Sequence, residues 1–145
     1  MDEEQPLVSL VYASLKCRYV DGAELKEILN VAQKNNEKVG ITGALLFNSV
    51  FFMQVLEGSR EQVSHLYNKI VKDKRHKDVH LIAFNDVAKR KWKEWTMQLI
   101  SITEKEEQVY YKYSNQKKFD PLLLDSNQAM LFLEEVLEVP EVEVK

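Results

Sequence analysis

The chain has 145 residues, enough for one compact domain and barely enough for two. Hydrophobic residues make up 45% and charged residues 30%, with four Gly and three Pro, a balance that excludes intrinsic disorder and fibrous repeats. Twenty Lys and Arg against 23 Asp and Glu leave a net charge of −3, so there is no global positive field to hold a polyanion and tight nucleic-acid binding is disfavoured.

LVSLVYAS (Leu7 to Ser14) is apolar, rich in strand-forming residues and preceded by Pro6, which predicts a first strand. Asp21-Gly-Ala-Glu24 has the form of a capping box, and Leu25, Ile28, Leu29 and Ala32 follow at helical spacing, placing helix one at 22–36. ITGALLFN and FFMQVLEG meet at Asn48-Ser49, where only a tight turn fits, and predict a β-hairpin. Ser59-x-x-Gln62 is a second capping signal, and Val63, Leu66, Tyr67, Ile70 and Val71 give a second amphipathic helix at 60–74. VHLIAF (79–84) is a fourth strand, the basic stretch KRKWK (89–93) is a solvated loop or a binding patch, and WTMQLISI (95–102) is a fifth strand. The tail holds EEQVYYKYS and, after Pro121, a helix from about Ser126 carrying Met130, Leu133, Val136 and Leu137.

This order is that of an α+β, ferredoxin-like β-α-β-β-α-β sheet with a fifth strand and a C-terminal helical extension. The expected division is 1–104 for the domain and 105–145 for the extension. In that topology the first and third strands lie side by side. No apolar run reaches the ~18 residues of a membrane helix, and the acidic start MDEEQP is unlike a signal peptide, so a cytoplasmic protein is expected. The single Cys17 has no disulfide partner, and His65, His76 and His80 lack ligand spacing, which disfavours zinc.

Period-two alternation places Val8, Leu10, Tyr12 and Ser14 on one face of strand one and Phe52, Gln54 and Leu56 on one face of strand three. An amide buried without a partner costs roughly 1–3 kcal/mol, so Gln54 must be hydrogen-bonded or face solvent. On neighbouring strands, Tyr12 and Gln54 fall within bonding reach; an ordinary satisfied core pair is the alternative. Continuing helix one by four residues brings Asn36 onto the inward face, unless it serves as a C-terminal cap. Phenol and amide groups in an apolar slot suit a flat heteroaromatic ligand with donors and acceptors along one edge. Trp95 and Met97 share parity in the last strand and either pack or rearrange beside such a slot. Arg75-His76 ends helix two, where it caps the helix dipole or meets a ligand carbonyl or phosphate.

Four ordered stretches, LVYAS, AQKNNEKVGITGALLF, FFMQVLEG and WTMQ, together resemble the BLUF domain, the flavin-binding blue-light sensors, and especially its short stand-alone members. The resemblance covers roughly Leu7 to Thr103. It implies non-covalently bound FAD, with FMN or riboflavin as alternatives, and no catalysed turnover. It implies that Tyr12 is the photoactive tyrosine, giving an electron and a proton to the excited flavin, and that Gln54 links it to the flavin and changes its hydrogen bonding after light. Asn36 with Asn35 matches the asparagine at the flavin's polar edge, Arg75 and His76 match a basic pair beside it, and Ser14 joins the lining. Trp95 and Met97 match the pair whose exchange transmits the signal. The resemblance also implies a downstream signalling partner, such as one of response-regulator type, and a homo-oligomer.

Two other readings compete with it. One is a light-independent ligand-binding or protein-interaction module on the same scaffold. The other is an RNA-binding domain stacking bases on Phe51 or Phe52, which the acidic charge and the lack of an RNP-like run oppose.

Overall fold

The computed structural model describes residues 6–17, 20–92 and 97–137. Its elements follow the expected order: β1 Leu7–Lys16, α1 Gly22–Val39, β2 Thr42–Phe47, β3 Phe51–Ser59, α2 Arg60–Lys72, β4 His76–Asp86, β5 Gln98–Ser101, α3 Glu104–Ser114 and α4 Ser126–Val136, with a short 3-10 turn at Pro121–Leu123. The strands form one sheet in the order β4-β1-β3-β2-β5, so β1 and β3 are neighbours, as the topology requires. β1 runs antiparallel to β3 and β4, β2 antiparallel to β3, and β5 parallel to β2.

Local chemistry sets the helix limits. Asp21 accepts from the Glu24 amide at 2.9 Å and Ser59 from the Gln62 amide at 3.2 Å, each cap contributing about 1 kcal/mol. α1 ends at Gly40, whose φ of 71° is a left-handed conformation that glycine adopts without a Cβ penalty. The helix thus outruns the expected end at residue 36, and Asn36 is not its cap. α2 stops earlier than expected, at Lys72, because Asp73 is extended and its carboxylate takes the backbone amide of Arg75 at 2.9 Å. Arg75 and His76 therefore do not end the helix; His76 is the first residue of β4.

β4 also begins three residues before the expected Val79. Between Ala13 and Leu15 β1 advances two residues, while β4 advances three from Lys77 to His80, and Asp78 absorbs the difference at φ 51°. Such a bulge breaks the alternation from which a strand is read. Among the described residues of the fifth predicted strand, 97–102, regular pairing covers Gln98–Ser101.

Alternation divides the sheet into two faces. Val8, Leu10, Tyr12, Leu45, Phe52 and Leu56 pack beneath α1 and α2, joined by Leu25, Val63 and Met97. Val11, Ala44, Leu46, Met53 and Val55 pack on the other side against Tyr110, Phe119, Phe132 and Leu133 of the tail. Burying each large apolar side chain stabilises the fold by roughly 1.5–3 kcal/mol. Phe51 meets Phe119 edge-on at 6.3 Å and Phe52 is buried, so neither offers an open platform for stacking bases. Among the described residues no helix is long and apolar enough to cross a membrane, and no group of acidic, His and Cys side chains is arranged to hold a metal.

Candidate functional site

A cleft of about 550 Å³ opens between α1 and α2 over the sheet. Its walls are the inward stripes of the two helices, Leu25, Ile28, Leu29 and Ala32 on one side and Leu66 and Ile70 on the other. Its floor is formed by Tyr12, Leu45, Phe52, Gln54 and Met97. Apolar walls with a few convergent polar groups are the usual form of a small-molecule site.

Tyr12 and Gln54 are direct partners in the antiparallel β1–β3 register, which puts their side chains on one face at the closest cross-strand spacing. The Tyr12 phenol donates to Gln54 Oε1 at 2.5 Å, and Gln54 Nε2 donates to Met97 Sδ at 3.2 Å. The Met97 carbonyl in turn accepts from Gln33 Nε2 of α1 at 2.8 Å. Burial pushes the Tyr12 phenol far above its ordinary value, and the Asp73 carboxylate and Tyr67 push the same way. A phenolate is therefore disfavoured here.

Asn36 is buried, with only 3% of its surface exposed, and lines the cleft. No hydrogen bond joins its amide to another group among the described residues. Asn35 lines the same cleft from the exposed rim.

His76 reaches the cleft with both ring nitrogens engaged. Nε2 donates to the Ile70 carbonyl at 2.6 Å, and Nδ1 shares a hydrogen bond with Ser14 Oγ at 2.8 Å. Ser14 does not line the cleft, as expected of it, but stands behind His76, fully buried. The reason is register: two residues beyond Tyr12, the hydroxyl is too short to pass the imidazole.

Arg75 lies at the rim, gripped by the Asp73 carboxylate through Nε at 2.8 Å and through an ion pair at Nη2. The same contact holds the Asp73 carboxyl below its ordinary value, against the opposing effect of burial. Trp95 falls outside the described residues.

Several cleft residues escape sequence reasoning. Asp73 and the rim charges Glu27 and Lys69 carry no motif, and Glu24 was read only as part of the helix cap.

The Asn36 amide tests the fit of a flavin. It is a donor and acceptor with no partner among the described residues, lining a slot with apolar walls, and the polar edge of an isoalloxazine supplies the complementary groups. The residues present fit the group.

Comparisons with known proteins agree with this geometry. A photoactivated adenylate cyclase beta subunit from Euglena longa is 35% identical over 102 residues, covering 70% of this chain and 12% of that protein. This chain thus spans a small part of the curated relatives it matches. Among solved structures, "BlsA photo-activated state" superposes with a TM-score of 0.84 at 28% identity, covering 95% of this chain and 99% of the other. "BlrB - a BLUF protein, dark state structure" gives 0.72 at 26% identity, covering 91% and 98%. The family model described as "BLUF: Sensors of blue-light using FAD" matches residues 7–98, and the chain belongs to that family of flavin-binding blue-light sensors.

Proposed function

We propose that this chain is a blue-light receptor that holds FAD non-covalently in the cleft between α1 and α2 and signals through altered protein contacts without catalysing turnover. The observation that carries the reading is the continuous donor chain from Tyr12 through Gln54 to Met97, set beside the Asn36 amide, which has no partner among the described residues. Asn36, with Asn35 at the rim, would hold the polar edge of the flavin. Gln54 would approach it from the floor, and His76 and Arg75 from the α2 side.

When bound and excited by blue light, the flavin supplies a one-electron oxidant with a basic nitrogen at its edge. Tyr12 is the donor its surroundings prepare, because its proton already lies along the bond to Gln54 Oε1. Gln54 has an acceptor and a donor end, so it can take that proton at one and release another from the other. Turning the amide end for end would place Nε2 toward the Tyr12 oxygen and withdraw it from Met97 Sδ. Once the electron and proton have returned to Tyr12, that rearrangement leaves the covalent structure unchanged and would report on light through Met97, whose backbone is tied to α1 by Gln33.

The signal would pass to a partner protein, such as one of response-regulator type, within a homo-oligomer. The deciding experiment is the visible spectrum of Tyr12→Phe in the dark and immediately after blue light. Flavin should be retained and the reversible red shift abolished; a normal photocycle in that variant would overturn the mechanism.

A further inference from the structure

A second concentration of polar groups lies on the opposite face of the sheet. The β3 row that carries Phe51, Met53 and Val55 continues to Glu57, which has no exposed surface. Its carboxylate is fully engaged with the backbone of the β4–β5 connection. Oε1 accepts from the amides of Lys91 at 2.8 Å and Trp92 at 3.0 Å, and Oε2 accepts from Lys91 at 3.1 Å. Arg90 closes over the same point, donating to the carbonyls of Gly40 at 2.6 Å and Glu57 at 3.2 Å and to Thr42 Oγ1 at 3.1 Å.

A buried carboxylate is a costly way to hold a loop, since removing one charge from water is repaid only by short, well-aimed donors. Here burial pushes the Glu57 carboxyl up, while the two amides and the charges of Arg90 and Lys91 pull it back. The neighbours of the held residues explain why they need a fixed position. Lys91 pairs with Glu134 of α4, Trp92 is packed among the tail residues, and five residues further on Met97 meets Gln54. Glu57 and Gln54 stand three residues apart on β3 and face opposite sides. One strand therefore holds both ends of the 91–97 segment.

We propose that Glu57 is a positioning residue: by fixing the Lys91 and Trp92 amides it makes a displacement at Met97 appear at α4 instead of being absorbed in the connection. The holding role stands on the contacts alone, whereas the coupling rests on the light-sensing reading.

The test is amide hydrogen exchange on the flavin-loaded protein, dark and illuminated, for the wild type, Glu57→Ala and Glu57→Gln. In the dark, Glu57→Ala should exchange Lys91 and Trp92 amides about ten-fold faster, whereas Glu57→Gln, which keeps a carbonyl acceptor, should stay near the wild type. Under light, the flavin band should still shift in all three proteins, while α4 amides should respond in the wild type and Glu57→Gln but not in Glu57→Ala. Unchanged dark exchange in Glu57→Ala would overturn the holding role, and a wild-type response of its α4 would overturn the coupling. If Glu57→Ala does not fold, Glu57→Asp, whose carboxylate is one methylene short of the Lys91 and Trp92 amides, takes its place with the same two expected results. A wild-type flavin band that ignores light would overturn the photoreceptor reading and the coupling with it, and the dark comparison would decide the holding role by itself.

Discussion

Ser14 and His76 fix each other: the serine hydroxyl lies 2.8 Å from Nδ1, and Nε2 donates to the Ile70 carbonyl, so the ring is held from both nitrogens in one orientation facing the cleft. Ser14→Ala removes the partner of Nδ1 and leaves a buried ring nitrogen unsatisfied. The variant should lose about 1–2 kcal/mol by urea denaturation and still bind flavin stoichiometrically. A midpoint equal to the wild type would show that the serine carries no weight.

Met97 accepts from Gln54, and leucine can fill its volume without a sulfur. Met97→Leu should change stability by less than about 1.5 kcal/mol. It also removes a contact that must re-form on the way back to the dark arrangement, so thermal return after illumination should slow by up to about five-fold, followed as the decay of red-shifted absorbance. A decay identical to the wild type would take Met97 out of the photocycle.

Asp73 gives a pH signature. Its carboxyl titrates lower in the folded chain than its ordinary 3.8, chiefly through the hydrogen bonds from Arg75. A depressed carboxyl adds stability that is complete above the unfolded value and is lost as pH falls through the folded one. Asp73→Asn should therefore be less stable than the wild type by a constant margin from neutral pH down to about 5, and the two denaturation curves should converge below about pH 4. A gap that persists at the acid end would assign the effect to packing.

Gly43 lies where β2 meets β3, and a Cβ there would sit 1.9 Å from the Val55 carbonyl oxygen. Backbone in the middle of a sheet cannot step aside as a side chain tip can. Gly43→Ala should reach or exceed the upper end of overpacking costs, about 3 kcal/mol, and express poorly. A thermal midpoint near the wild type would mean that the two strands separate at little cost.

The Tyr12–Gln54 pair was legible because alternation put each residue on a defined face and the topology put their strands together. Asn36 was legible because four residues return a side chain to the same helix face. The onset of β4 was not, since the bulge at Asp78 interrupts the alternation, nor was the end of α2, where a local aspartate contact outweighed continued helical spacing. Glu57 left a readable trace, a charge ending the apolar row Phe51, Met53, Val55, but its partners are backbone amides more than thirty residues away, and backbone amides carry no sequence signature.

The apolar underside of the sheet has a practical consequence for anyone wishing to transplant this unit. Val11, Leu46, Met53 and Val55 are kept from water by Tyr110, Phe119, Phe132 and Leu133. Cutting the chain after β5 would bare a greasy plate ready to stick to its own kind. A working chimera needs a substitute roof, and whatever fused module provides it becomes, by the same contact, a neighbour of the strand that carries Gln54.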